Sequence, residues 1–249
     1  MDWLQQFTLS NTQWIWVIFC ALCIGLAKTG LSGLGLLVVP VLASVFGARA
    51  STGILLPMLI MADVFAVYYY HRHADFKLLV RLAPATITGI LIAIWVGDHV
   101  NDQTFGVIMA IIIILGLFIM IWNERKSSRI PHNWYFASVA GILGGFTTMI
   151  GNAAGPVIAI YFLSLGLNKN KFIGTAAWFF LLVNLFKVPF HISVWETIST
   201  DTFIFNLTFL PVIMIGAFIG IKVVKLIPEK PYRIFIIASS ALAALKLFF

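Results

Sequence analysis

Apolar runs of about twenty residues, the length a helix needs to cross the ~30 Å hydrocarbon layer, recur from one end of this chain to the other. They occupy 12–27, 31–46, 52–71, 78–97, 104–122, 134–149, 152–166, 172–190, 203–224 and 231–248. Backbone polar groups in lipid must be satisfied internally, so only helices or closed barrels can span. A barrel would show segments of about ten residues with alternating polarity, and Ile108–Ile121 does not alternate. With 61% hydrophobic and 10% charged residues, the chain cannot coat a soluble core, since an ordinary soluble domain is about a quarter charged. The fold class is an all-α polytopic membrane protein, and the lipid bilayer is its first partner.

Composition also narrows the function. The net charge of +7 does not imply nucleic acid, because the basic residues sit in short loops between apolar runs rather than on one soluble face. Cys20 and Cys23 fall inside the first apolar segment and read as small packed residues rather than a redox or metal pair. No Walker-type Gly-Lys-Ser/Thr loop is present, and neither a cofactor nor a metal is expected. Met1–Ser10 contains Asp2 and no Lys or Arg, so it does not read as a signal peptide.

Four segments are too short for full spans. The first two, and the pair 134–149 and 152–166, each hold about fifteen residues, or ~23 Å of helix. Each pair is interrupted by glycines, Gly30-Leu31-Ser32-Gly33-Leu34-Gly35 in one and Gly144 to Gly151 in the other. These are expected to be broken or re-entrant hairpins, 12–46 and 134–166. Cytoplasmic loops should carry Lys and Arg. If each hairpin returns to the side it left, Arg72, Lys77, Arg81, Arg125, Lys126, Arg129, Lys169, Lys171, Lys222, Lys225, Lys230 and Arg233 all fall on the cytoplasmic side. Asp98, Asp102, Glu196 and Asp201 fall outside, with Arg49 the clear exception. This places both termini on the outer, periplasmic side.

The two halves also resemble each other. Gly25, Gly35 and Pro40 match Gly141, Gly151 and Pro156 at one constant offset. Gly53, Asp63 and Tyr70 then match Gly174, Asn184 and His191, and Pro84 with Gly89 matches Pro211 with Gly216. The expectation is two inverted-topology repeats, 1–122 and 134–249, joined by a cytoplasmic linker 123–133, each a hairpin followed by three transmembrane helices. Such an architecture places a transporter's substrate near the midplane, where the breaks meet.

The second arm of each hairpin begins at its tip, where free N–H groups and the helix dipole favour an anion. Candidate substrate-binding residues there are Lys28, Thr29, Ser32 and Gly33 at the first tip, and Thr147, Thr148 and Asn152 at the second, with Asn184 nearby. Lys28 is the key residue, because an ammonium inside a membrane is functional by default. Asp63, mid-span, can pair with Lys28 or carry a coupling proton. Lys187 and His191 flank Pro189 at the outer end of their span and are possible additional cations or gates. Two alternatives compete. A passive anion channel would need no coupling residue, and Gly30-Leu31-Ser32-Gly33 fits the G-x-S-G pattern of an intramembrane serine protease, with His191 as its base.

At the two hairpins the chain resembles the TauE/SafE family of bacterial membrane proteins, the sulfite-exporter or sulfonate-permease group. The resemblance rests on Gly25–Ala43 with Val38-Val39-Pro40, Gly141–Phe162 with Gly155-Pro156, Lys171–Trp178, and Asn184 to Pro189. It implies transport of a small organosulfur or related anion across the bacterial inner membrane without ATP, coupled to an ion or a proton. Members commonly carry a G-x-G-G-G-like tip in each repeat. Here the tips read Gly-Leu-Ser-Gly-Leu-Gly and Gly-Asn-Ala-Ala-Gly, which marks a divergent branch.

Overall fold

The computed structural model describes residues 9–29, 33–70, 74–125, 134–167 and 169–223, with isolated residues between 234 and 247. Ten helices and no strand occur among the described residues: α1 (Asn11–Thr29), α2 (Leu34–Phe46), α3 (Ala48–Tyr70), α4 (Phe76–His99), α5 (Asp102–Arg125), α6 (Trp134–Gly151), α7 (Gly155–Ser164), α8 (Lys169–Ser193), α9 (Thr200–Thr208) and α10 (Leu210–Val223). Six are long and apolar enough to cross a membrane, and the bent pair α9–α10 makes a seventh. Residues 126–133 of the linker, most of the apolar segment 231–248, and Ser32, Arg72, Lys225, Lys230 and Arg233 lie outside the described residues.

The surface of this bundle is apolar. On α5, Ile111, Leu115, Phe118 and Trp122 are exposed in one stripe, while Phe105, Met109 and Ile113 are fully buried on the other face. A helix exposing an apolar stripe of this size belongs against lipid, not water. The chain is a multi-pass membrane protein. Cys20 and Cys23 are buried and unbridged in its core.

Both broken pairs form, but not as equal arms. The first arms are long, 19 residues in α1 and 18 in α6, and the second arms short, 13 in α2 and 10 in α7. The glycine-rich run 144–151 is therefore not the tip: it is helix, and the break lies at Asn152–Ala154. Gly145 is spared for packing, because a Cβ there would strike the carbonyl of Thr86 on α4. Each pair brings its two ends together. Trp14 at the start of α1 and Phe46 at the end of α2 both pack on Phe205, with ring centroids at 5.7 and 6.1 Å. Phe136 at the start of α6 lies 5.9 Å from Tyr161 near the end of α7.

Segment 203–224 is not one straight span. It bends by 47° between α9 and α10. Pro211 has no N–H to offer the carbonyl of Leu207, and the N–H of Phe209 turns to Asn206 O at 3.0 Å instead.

Two glycine seams hold the bundle. A Cβ on Gly25 would strike Ile213 O and Ala217 N on α10, and one on Gly216 would strike Leu22 O on α1. A Cβ on Gly89 would likewise strike Ile142 O on α6. Small residues let membrane helices approach to backbone contact, where dispersion replaces the missing hydrophobic drive.

The turns expected outside gather at one end. Asp102 accepts the N–H groups of Ala48 and Arg49 at 3.2 and 2.9 Å, capping α3. Arg49 in turn donates to the carbonyls of Gly97 and Val100. Arg49, Val100 and Asp102 line an open cleft of about 600 Å³ with Glu196, Thr197 and Thr202. At the other end the N–H of Asp75 meets Thr175 Oγ1 at 2.9 Å, and Phe76 packs on Trp178.

Gly216→Ala should lower the thermal stability of the purified protein by about 1–3 kcal/mol, the usual cost of overpacking. Gly35→Ala, whose Cβ meets nothing within 4 Å, should leave it unchanged or slightly raised. Melting both variants in detergent checks the seam; equal melting temperatures would contradict it.

Candidate functional site

The C-terminal turn of α1 carries Lys28, where the negative end of the helix dipole favours a cation. Its Nζ lies 2.7 Å from Asp63 Oδ1 on α3, and 4.5 Å from the centre of the Phe180 ring. Asp63 is fully buried, and its second oxygen accepts from Asn184 Nδ2 on α8 at 2.7 Å. One carboxylate thus ties α1, α3 and α8 together. Thr29, the last residue of α1, returns its hydroxyl to Gly25 O at 3.0 Å.

The second pair is finished by a lysine from another helix. Lys187, on α8, has 0% exposure. Its Nζ donates to Thr148 O at 2.9 Å, Thr148 Oγ1 at 3.2 Å and Asn152 Oδ1 at 2.6 Å. The ammonium therefore sits at the C-terminus of α6, where it shares Thr148 O with the N–H of Asn152, 3.0 Å away. Asn152 sits at φ 49°, a left-handed turn that asparagine tolerates better than most side chains. Beyond it α7 starts at Gly155, and α2 starts after Gly33 at φ 108°. Neither N-terminus has a side-chain cap.

The structure thus brings Lys28, Asp63, Asn184, Lys187, Thr148 and Asn152 into the interior between the two breaks. Thr147 stays apart, its hydroxyl bonded to Leu143 O at 2.7 Å. Like Thr29, it spends its donor on its own helix. His191 is buried elsewhere, with Nδ1 2.8 Å from Thr197 Oγ1. Ser32, the other partner of the protease alternative, lies outside the described residues.

The sequence reading set Lys187 at the outer end of its span, and the structure adds what surrounds it there, a fully buried place against the end of α6. Its four-carbon stem crosses from α8 to the last turn of α6, and three oxygens replace the water it loses. Asn184, Lys187 and His191 stand at i, i+3 and i+7, one face of a helix, and that spacing was the available signal.

The electrostatics follow from a count. Counted with both lysines protonated and the carboxylate ionised, the cluster carries a formal +1, since Lys187 has only neutral partners among the described residues. Asn152 Nδ2 and Asn184 Oδ1 are buried beside it without hydrogen-bond partners among the described residues. An uncompensated buried cation with a free amide donor next to it is an arrangement that a monoanion completes.

A family model described as Sulfite exporter TauE/SafE matches residues 17–247, a span that contains the whole cluster. No curated protein and no solved structure matches the chain.

Removing one partner of a buried ion pair strands the other, at about 3–5 kcal/mol. Asp63→Ala should lower stability by that order, and adding Lys28→Met should recover most of the loss. Thermal unfolding of the two single variants and the double variant reads the coupling; strictly additive losses would contradict it.

Proposed function

The chain belongs to the TauE/SafE family of membrane transporters, and from that premise we propose that it carries a small monoanion of the sulfite or sulfonate class, held between the two helix breaks. A carboxylate of similar size belongs to the same class of cargo. Transport uses no ATP and passes through the lipid-embedded cluster of Lys187, Asn152, Thr148, Asn184, Lys28 and Asp63. Membership removes the serine-protease alternative, because the family consists of transporters and not enzymes.

The observation that carries this reading is fully buried Lys187, which has no carboxylate partner among the described residues. A lysine costs about 2.5–3.5 kcal/mol at a bilayer centre, a cost that a bound oxyanion offsets with charge-assisted hydrogen bonds. Pyramidal or tetrahedral oxyanions offer several acceptors, matching Asn152 Nδ2 and the start of α7, and Lys187 Nζ once it exchanges one of its three bonds to Thr148 and Asn152 for the anion. In this assignment Lys187 is the substrate's counter-charge. Lys28 keeps Asp63 from cancelling it, and Asp63 is the group that exchanges a coupling proton.

The same packing supports an inverted repeat, with units 1–122 and 134–249 about the linker 123–133. Gly25 and Gly141 were matched by sequence, as were Gly89 and Gly216. Gly25 packs on the helix of Gly216, and Gly89 packs on the helix of Gly141, so each repeat's first arm meets the other repeat's Pro-x-x-x-x-Gly helix. Matched residues Asp63 and Asn184 bond to each other. The cleft-end turns carry the acidic residues and the opposite end the lysines, which supports a bacterial inner-membrane protein with both termini on the periplasmic side.

Uptake of labelled sulfite into proteoliposomes tests the function. Wild type should show saturable flux, and Lys187→Met should reduce it by roughly a hundredfold, the worth of one charge-assisted contact of about 3 kcal/mol. Asp63→Asn should keep saturable flux down a sulfite gradient but lose any response to an imposed pH gradient. Wild-type flux in Lys187→Met would contradict the assignment, and non-saturating flux would indicate a channel.

A further inference from the structure

The polar face of α8 does not stop at the cluster. Asn184 and Lys187 belong to it, and His191 continues the same face one turn on, so the file spans ~10 Å along the helix. His191 is fully buried, and its Nε2 has no hydrogen-bond partner among the described residues. Just beyond it lies the cleft lined by Arg49, Glu196 and Thr202. Only the turn between α8 and α9 separates the two.

That turn is thin and specifically seated. Trp195 and Thr197 both line the cleft and both touch His191. The indole of Trp195 stands edge-on to the imidazole at 5.1 Å and to Phe105 at 5.4 Å, over Gly97. Thr197 Oγ1 meets His191 Nδ1 at 2.8 Å, and the N–H groups of Thr197 and Ile198 donate to His191 O at 2.8 and 3.2 Å. Glu196 between them is held at φ 51°, a left-handed conformation that costs a non-glycine residue about 1 kcal/mol or more. Thr197 rests on Gly53 of α3, where a Cβ would strike its side chain and its carbonyl. On α8, Pro189, between Lys187 and His191, has no N–H to offer the carbonyl of Leu185, leaving the helix end freer to swing.

We propose that the Asn184–Lys187–His191 file is the leg of the anion path leading to the cleft, and that the Trp195–Ser199 turn is its gate, latched shut by His191 and Thr197. The proposal rests on the transport reading and adds the route and the residues that close it. With the latch open, His191 Nε2 is the next polar atom an anion meets between the cleft and Lys187. Gly53 is glycine because the closed gate occupies the space of a side chain.

Histidine footprinting with diethyl pyrocarbonate tests the gate on the full-length protein in detergent, with peptide masses giving the rate at each histidine. Exposed His99 is the internal standard. In wild type, His191 should react far more slowly than His99. Thr197→Val should speed it about fivefold, the factor one lost hydrogen bond is worth, and Gly53→Ala, which pushes the turn off its seat, should speed it at least as much. Equal rates at His191 and His99 in wild type would overturn the proposal, as would an unchanged His191 rate in both folded variants. Labelling reads no transport. Opened labelling without any anion flux would count against the transport reading alone, whereas sulfite flux with unchanged labelling would count against the gate alone.

Discussion

A positive charge in a low-dielectric interior persists only where oxygens surround it, and two lysines impose that condition on this bundle. Lys28 meets it with a carboxylate, which recruits Asn184 and fixes α1, α3 and α8 at one point. Lys187 meets it with a carbonyl, a hydroxyl and an amide at the end of α6. The first arrangement is neutral and the second is not. In the proposed assignment that difference makes a structural requirement into a binding site, the remaining formal charge being matched by an anion that arrives from outside.

Such a cluster requires helices that approach closely and breaks that end at the right depth. The glycines at 25, 89, 145 and 216 provide the approach by letting backbone meet backbone. The breaks provide helix ends: the end of α6 beside Lys187, and starts of α2 and α7 that have no side-chain cap among the described residues. In the proposed assignment, cation and anion sites adjoin there by the polarity of the helix itself. The His191–Thr197 latch and the seat on Gly53 extend the polar interior to one open cleft.

Much of this was legible in the sequence. Hydropathy located the spans, and the loop charges gathered the acidic turns at one end. Lys28 and Asp63 stood out as charges inside apolar runs. The unequal hairpin arms were not legible, because glycine in a membrane helix reads equally as a break or as a packing surface, and only the presence of α4 against Gly145 decides. Nor was the bend at Phe209: Pro84 and Pro211 occupy matching positions, yet Pro84 lies inside the continuous α4. The surroundings of Lys187 were not legible, because a span's sequence gives a residue's depth but not what lies beside it. Thr148 and Asn152, thirty-nine and thirty-five residues away, make it an interior residue.

The central claim is that Lys187 and Asn152 hold the anion. Selenite, the selenium counterpart of sulfite, can be located by anomalous scattering in crystals of the protein soaked with it. The account predicts one strong selenium peak within hydrogen-bonding distance of Lys187 Nζ and Asn152 Nδ2, absent in Lys187→Met crystals. A peak confined to the cleft around Arg49, or one at the breaks that persists without the lysine, would contradict it.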